Sequence, residues 1–401
     1  MIYSRCKMVR ELAISIYLWF FKIVFNMFKL CPQKKKTVCV ASFGDNIFYV
    51  TRSLRSESDE DIIILKDKSC HYPFDTSTSK ELNFEITHPF SFLQSIYHLA
   101  TATTILVDNY FGFLAVTNFK KGTTCIQLWH AAGAIKLFGL MDPSSKTRSK
   151  RAIDRFRRVY RNFHYTAVGS ERMAAIFQDS FDLSNDAIIR TGIPRTDFFY
   201  HSMEKQQIGQ KLRKSYPIIN KKKVILYAPT FRDDELSNFQ LQLDIKKLYE
   251  ALSGEYVLFI KHHPAVTYKL KKEYNDFVYD VSDYHEINHL LLIADILISD
   301  YSSIPFEYSL LNKPMIFFAY DLEDYQRTRG LLKNYQSEMP GPITFTTEEI
   351  VQSIKRNAFD KAKIKAFASQ WNEYSKGRSS RNIVNIIVST EGAPKKKEAL
   401  F

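Results

Sequence analysis

The sequence predicts an α/β protein of two Rossmann-like domains facing a cleft, with an amphipathic helix in front. Short β-branched or apolar runs alternate with helical segments along most of the chain, the pattern of doubly wound parallel sheets. A polar break at residues 216–223 divides this alternation into two series. At 401 residues the chain also exceeds one ordinary core and suits two.

The leader comes first. At about 100° per residue, Ser4, Lys7, Glu11, Ser15, Lys22, Asn26 and Lys29 fall on one narrow helical stripe. Ile14, Trp19, Phe20, Ile23, Val24 and Met27 occupy the broad remainder. A membrane span needs about 20 uninterrupted apolar residues, and Lys22 interrupts this one. No small-residue cleavage site follows. Two readings stay open: a helix in the membrane interface, or a helix packed on the protein itself. The aromatic residues and flanking lysines favour the interface.

The first series has strands at residues 37–41, 61–65, 104–108, 124–128 and 165–168, with helices at 154–161 and 171–179. The second has strands at 224–228, 256–260, 277–279, 296–298 and 315–318. Residues 361–390 read as helical and as crossing back onto the first domain. The expected divisions are a leader at 1–33, a first Rossmann-like domain at 34–216, a second at 217–375, and a terminal helix and basic tail at 376–401.

The formal charge is +13, from 56 Lys and Arg against 43 Asp and Glu. Such a chain suits an anionic partner: nucleic acid, a membrane surface or a phosphorylated substrate. No zinc-finger spacing, RNA-binding aromatic pattern or basic zipper accompanies the charge, which argues against nucleic acid. Five scattered cysteines without CxxC pairs fit a reducing compartment and argue against structural zinc. With no HExxH and no GxxxxGK[ST], neither a metal nor another cofactor is expected.

Five strand ends carry polar groups, where open α/β sheets bind ligands. QLWHAAGAIKLFG (127–139) places His130 there, next to the small Ala131, Ala132 and Gly133, which leave room for a ligand near the backbone. GIPRTDFF (192–199) offers Arg195 after a rigid proline, suited to clamping phosphate, while Asp197 can cap the following helix. YAPTFRDD (227–234) offers Thr230 and Arg232. FIKHHPAV (259–266) offers Lys261, His262 and His263; neighbours on a strand point oppositely, so only one histidine, His263 by choice, faces the cleft. ADILISDYSSIPFEYSLLNKP (294–314) gives a helix with Asp300, Ser302 and Ser303 as capping oxygens, its free N–H groups favouring an anion. Each alone fits an ordinary capped turn or structural histidine. Together they suit a pyrophosphate, held without an obligatory metal.

These motifs, with VGSERM and the DLEDYQRTRG that begins at Asp321, resemble the CDP-glycerol glycerophosphotransferase family of wall teichoic acid synthesis over roughly residues 100 to 335. The resemblance implies a GT-B-like fold, a peripheral place on the cytoplasmic face of the cell membrane, and transfer of glycerol phosphate from CDP-glycerol with release of CMP. It makes His130 the general base and His263 the second essential histidine. Donor contacts would come from residues 130–134 (Ala134 included), Arg195, Pro229, Thr230, Lys261, His262, His263, Ser302, Ser303 and Glu307. Polymerases of the family usually have WHGTP where this chain has WHAAG, and aspartate where Glu307 stands. WHAAGAIK, the preceding Asp108-Asn109-Tyr110 and SDYSSIPFE are more similar to the primase branch. That branch adds one glycerol phosphate to the N-acetylmannosamine of an undecaprenyl-diphosphate-linked disaccharide. The alternatives are a chain-extending or capsule-type transferase of the family, a nucleotide-sugar glycosyltransferase of the same architecture, and, last, a basic adaptor without catalysis.

Overall fold

The computed structural model describes residues 2–230, 232, 241–262, 272–332 and 334–390. Among these residues the strands form two sheets, and every strand pair is parallel. The first contains β1 (Lys34–Ala41), β2 (Asp61–Lys66), β3 (Lys80–Asn83), β4 (Ala102–Val107), β5 (Thr124–Gln127), β6 (Tyr165–Ala167) and β7 (Ile188–Ile189), in the order β3-β2-β1-β4-β5-β6-β7. The second contains β8 (Lys223–Tyr227), β9 (Tyr256–Ile260), β10 (Val278–Asp280), β11 (Ile296–Ser299), β12 (Met315–Phe318) and β13 (Ile343–Thr344), in the order β10-β9-β8-β11-β12-β13. The strands expected from sequence are all present. β3, β7 and β13 are additions: one is the polar run KELN and the other two are two residues long, too short to carry a pattern to read.

Both sheets are covered on both faces, which is why their central strands bury successive residues on opposite sides. In β1, Val38 and Val40 enter one core cluster while Cys39 and Ala41 enter another. In β9, Val257 and Phe259 join the first of these clusters, and Leu258 and Ile260 pack on the opposite face. One core therefore runs from the first sheet to the second.

In each sheet the strand order reverses beside a central strand, and crevices for ligands open there. The two reversals are built alike. Asp108, just past β4, accepts the N–H groups of Ser42, Phe43 and Gly44 after β1, at 2.9, 3.0 and 2.8 Å. Asp300, just past β11, accepts the N–H of Thr230 after β8 at 2.8 Å. The expected capping role of Asp300 is corrected by this: its carboxylate ties two strand ends together.

The leader forms the helix Ile2–Phe28. One face is core: Leu18, Phe21 and Phe25 are buried, with Phe21 against Phe84, Phe92 and Phe113. The opposite face leaves Val9, Leu12, Ile16, Trp19, Ile23 and Met27 exposed, a continuous apolar stripe at helical spacing. By length and composition, Val9–Phe28 is apolar enough to cross a membrane, so Lys22 does not break it as expected. Packing of its inner face, not one lysine, is what distinguishes it from a simple span.

The C-terminal helices return to the first sheet. Ile383, Val384 and Ile387 of the helix Ser379–Thr390 pack with Ile47, Val50 and Leu54 of the helix Asp45–Glu57. Asp197 caps this distant helix rather than the one following it, accepting the N–H groups of Ser379 and Ser380 at 2.9 and 2.8 Å.

Candidate active site

β5 ends at Gln127, whose side chain accepts the Trp129 N–H at 2.8 Å, and Trp129 turns through a left-handed backbone, φ 57°. That turn stacks His130 between Phe43 and Trp129, ring centroids 4.1 and 4.3 Å away. His130 Nδ1 lies 3.0 Å from the Asp108 carbonyl oxygen. A carbonyl only accepts, so Nδ1 carries the proton and Nε2 keeps its lone pair. Burial lowers the His130 pKa to about 4, so the ring is neutral near pH 7. Burial also raises Asp108 to about 7, opposed by the three N–H groups it accepts.

Arg195 is buried and already engaged. Its Nε donates to Glu307 Oε1 at 2.8 Å, a second nitrogen reaches the same oxygen, and a third donates to Asp45 at 2.9 Å. Burial works against its charge, but the Glu307 and Asp45 carboxylates outweigh it and keep it cationic. Glu307, buried as well, accepts the Ala132 N–H at 3.2 Å, while its Oε2 has no hydrogen-bond partner among the described residues. Asn46 completes the assembly, accepting the Arg195 N–H and donating to the Trp129 carbonyl. An arginine expected to be open for phosphate thus joins loops of the first sheet to the helix Ile304–Tyr308 of the second.

The small residues after His130 have a structural cause too. A Cβ added to Gly133 would lie 2.5 Å from the Phe306 ring, and Ala131, Ala132 and Ala134 are buried. The space beside Gly133 is filled by Phe306, not left for a ligand as expected. Further along, Leu137 N donates to the Gly330 carbonyl and Leu332 N to that of Ile135, stitching this loop to the second half.

In the second half, Pro229 and Thr230 are half-buried, and the Thr230 hydroxyl is buried without a hydrogen-bond partner among the described residues. Arg232 is held by Asp300 at 2.9 Å and Asp321 at 3.0 Å, its guanidinium over the Tyr301, Tyr320 and Tyr325 rings. Lys261 donates to the Ser282 and Tyr284 carbonyls at 3.1 and 2.6 Å, and burial lowers its pKa. His262 is buried, with its backbone N–H on Ser282 Oγ. Ser302 Oγ accepts the Ile304 N–H at 3.3 Å, so Ser302 caps the helix, whereas the Ser303 side chain makes no capping bond. His263 lies outside the described residues.

His130, the loop after it, Arg195 and Glu307 therefore form one bonded assembly, and Thr230 and Arg232 form another around Asp300. Sequence reasoning missed Phe43, Asp45 and Asn46, and quoted Asp108 without giving it a role. One signal was available: Val107-Asp108-Asn109-Tyr110 and Ser299-Asp300-Tyr301-Ser302 each place an aspartate just past a central strand. Among the described residues, no group of three or more His, Cys, Asp or Glu is gathered to hold a metal ion.

The model of the CDP-Glycerol:Poly(glycerophosphate) glycerophosphotransferase family matches residues 23–389. The chain belongs to that family. Membership makes this glycerophosphotransferase a CDP-glycerol-dependent transferase of teichoic acid biosynthesis. Among its relatives, the teichoic acid glycerol-phosphate primase of Bacillus subtilis strain 168 is 37% identical, over 94% of this chain and 98% of that one. The teichoic acid poly(ribitol-phosphate) polymerase of Bacillus spizizenii is 33% identical over 95% of this chain but 60% of its own length. Among solved structures, the wall teichoic acid polymerase TagF has the same fold, with a TM-score of 0.78 at 24% identity and 98% coverage of each chain.

Proposed function

We propose that this glycerophosphotransferase primes teichoic acid synthesis. It moves glycerol phosphate from CDP-glycerol to the N-acetylmannosamine of an undecaprenyl-diphosphate-linked disaccharide, in a cleft between domains spanning 34–216 and 217–375. The acceptor hydroxyl oxygen attacks the phosphorus bearing glycerol, the P–O–P bond breaks, CMP leaves, and the hydroxyl proton passes to His130 Nε2. The observation carrying this reading is the His130 ring, neutral and held with Nε2 as the free base. The donor would lie beside His130 and along Pro229, Thr230, Lys261, His262, Ser302 and Ser303, with the packed residues 131–134 holding the loop against the second half. Arg195, Arg232 and Glu307 would fix the walls, and His263 would be the second essential histidine.

Matching lengths favour single addition: this chain and the glycerol-phosphate primase cover each other almost entirely, whereas it spans 60% of the polymerase. A ribitol-phosphate primase of B. spizizenii, 36% identical over 75% of this chain, supports a second reading in which CDP-ribitol is the donor. The reaction would take place on the cytoplasmic face of the cell membrane, with the exposed stripe of the leading helix against an anionic lipid surface.

The test supplies CDP-glycerol or CDP-ribitol with a synthetic lipid-linked disaccharide, and follows CMP release and product mass. One added glycerol phosphate is expected, with release falling about 10²- to 10⁴-fold in His130→Ala. Wild-type release in that variant, or stabilisation by UDP-sugars alone, would overturn the reading. A ladder of products would move the chain to the extending branch.

A further inference from the structure

The helix Lys150–Tyr160 carries chemistry on two sides, and neither side belongs to the assembly around Arg195. On one side, between this helix and Ile2–Phe28, is a cavity of about 310 Å³ with Ser15, Trp19, Lys22, Arg151, Arg155 and Arg158 in its lining. Its volume is on the order of ten waters. Positions 151, 155 and 158 follow helical spacing, so their guanidinium groups share one face. Glu11 is the only carboxylate in the lining, and it pairs with Arg155 at 3.1 Å. Among the described residues Arg151 and Arg158 have no ion pair. Several cations against one carboxylate suit a ligand with more than one negative charge.

Two surroundings narrow the ligand further. The cavity opens beside the exposed apolar stripe, and Trp19 belongs to both. A ligand with a charged head and a long apolar tail would place each where its chemistry fits. On the other side of the same helix, a cavity of about 180 Å³ is lined by Tyr110, Trp129, Arg148, Phe156 and Tyr160 among others, and Trp129 is the residue stacked on His130. Tyr110 lies between the two sides: its ring packs edge-on against Phe156 and Tyr160, and the nearby Arg155 charge acts on its hydroxyl.

We propose that the arginine-lined cavity is the seat of a polyprenyl diphosphate head group, its tail along the exposed stripe and its saccharide directed past Tyr110 toward Trp129 and His130. This rests on the acceptor reading above and gives it a place. It also explains why a helix so rich in arginine packs against an apolar leader: the two together hold a lipid phosphate at the membrane surface.

The test measures binding of the full chain to neutral vesicles carrying a small fraction of polyprenyl diphosphate, and to vesicles carrying phosphatidylglycerol at equal charge. Arg151→Gln/Arg158→Gln is compared with Lys150→Gln/Arg157→Gln, which removes the same charge from the same helix outside the cavity. The cavity variant is expected to bind polyprenyl diphosphate vesicles about tenfold more weakly, the loss of one charge-assisted hydrogen bond. The control variant should bind as wild type does, and phosphatidylglycerol vesicles should not separate the two. Equal losses in both variants, or no loss in either, would overturn the proposal. Vesicle binding needs no turnover, so absence of transfer to any lipid-linked acceptor would fail the functional reading while leaving this comparison decisive.

Discussion

Gly133 illustrates how a residue's surroundings change its meaning. In the sequence it looks like room for a ligand; in the structure, its missing Cβ is what lets Phe306 of the other half approach. Gly133→Ala should lower stability by about 1–3 kcal/mol, the usual cost of overpacking. In thermal melts, Gly133→Ala/Phe306→Leu should recover part of the loss; a single variant as stable as wild type would show that the loop yields freely. Arg195 makes the same point with charge. Its place after a strand and a proline was legible, but its carboxylate partners come from positions 45 and 307, and no local pattern announces such a pairing. His130 was legible as a base candidate because its strand and its residue type are local facts. The Asp108 carbonyl that fixes its tautomer is a tertiary fact.

At the scale of elements, the leading helix packs one face on the protein, as one of its two readings held, and leaves an apolar stripe exposed on the other. Its inner face supplies core phenylalanines, so deleting it would uncover Phe84, Phe92 and Phe113 and confuse misfolding with loss of membrane binding. Substitution on the outer stripe avoids that. Leu12→Ser/Trp19→Ser/Ile23→Ser should melt near the wild-type temperature, bind anionic vesicles far more weakly, and keep its thermal shift with CDP-glycerol. Unchanged vesicle binding would move the membrane contact to another surface. Strands were the most legible elements, because buried parallel strands need unbroken β-branched and apolar runs. β3 escaped notice since an edge strand needs no such run. The helix after β11 was placed correctly; of its three expected capping oxygens Ser302 bonds its N-terminus, while Asp300 joins two strand ends.

For the molecule as a whole, a set of buried acids and one arginine joins the two sheets beside the apolar core they share. Glu286, next to the second sheet, accepts the Tyr72 hydroxyl from the first at 3.1 Å. Burial, with Asp45 nearby, raises its pKa from 4.5 to about 7. The folded state then holds this proton more tightly than the unfolded chain, so the group's contribution to stability falls as pH rises from 4.5 through 7. Glutamine at this position keeps an acceptor for Tyr72 and removes the titration. Melting temperatures should show Glu286→Gln gaining on wild type across that window, with the difference closing at lower pH. Parallel curves would assign the pH dependence elsewhere.

The sequence by itself determined the parallel α/β class, the two series of strands, the apolar leader and the strand ends that carry the candidate site's polar groups. These follow from local composition and period, which each segment carries within itself. Only the tertiary structure decided which polar groups remain open and which are paired, because the partners of Arg195, Arg232 and Asp108 come from distant stretches of chain. It also decided that the small residues after His130 serve the joint between the two halves.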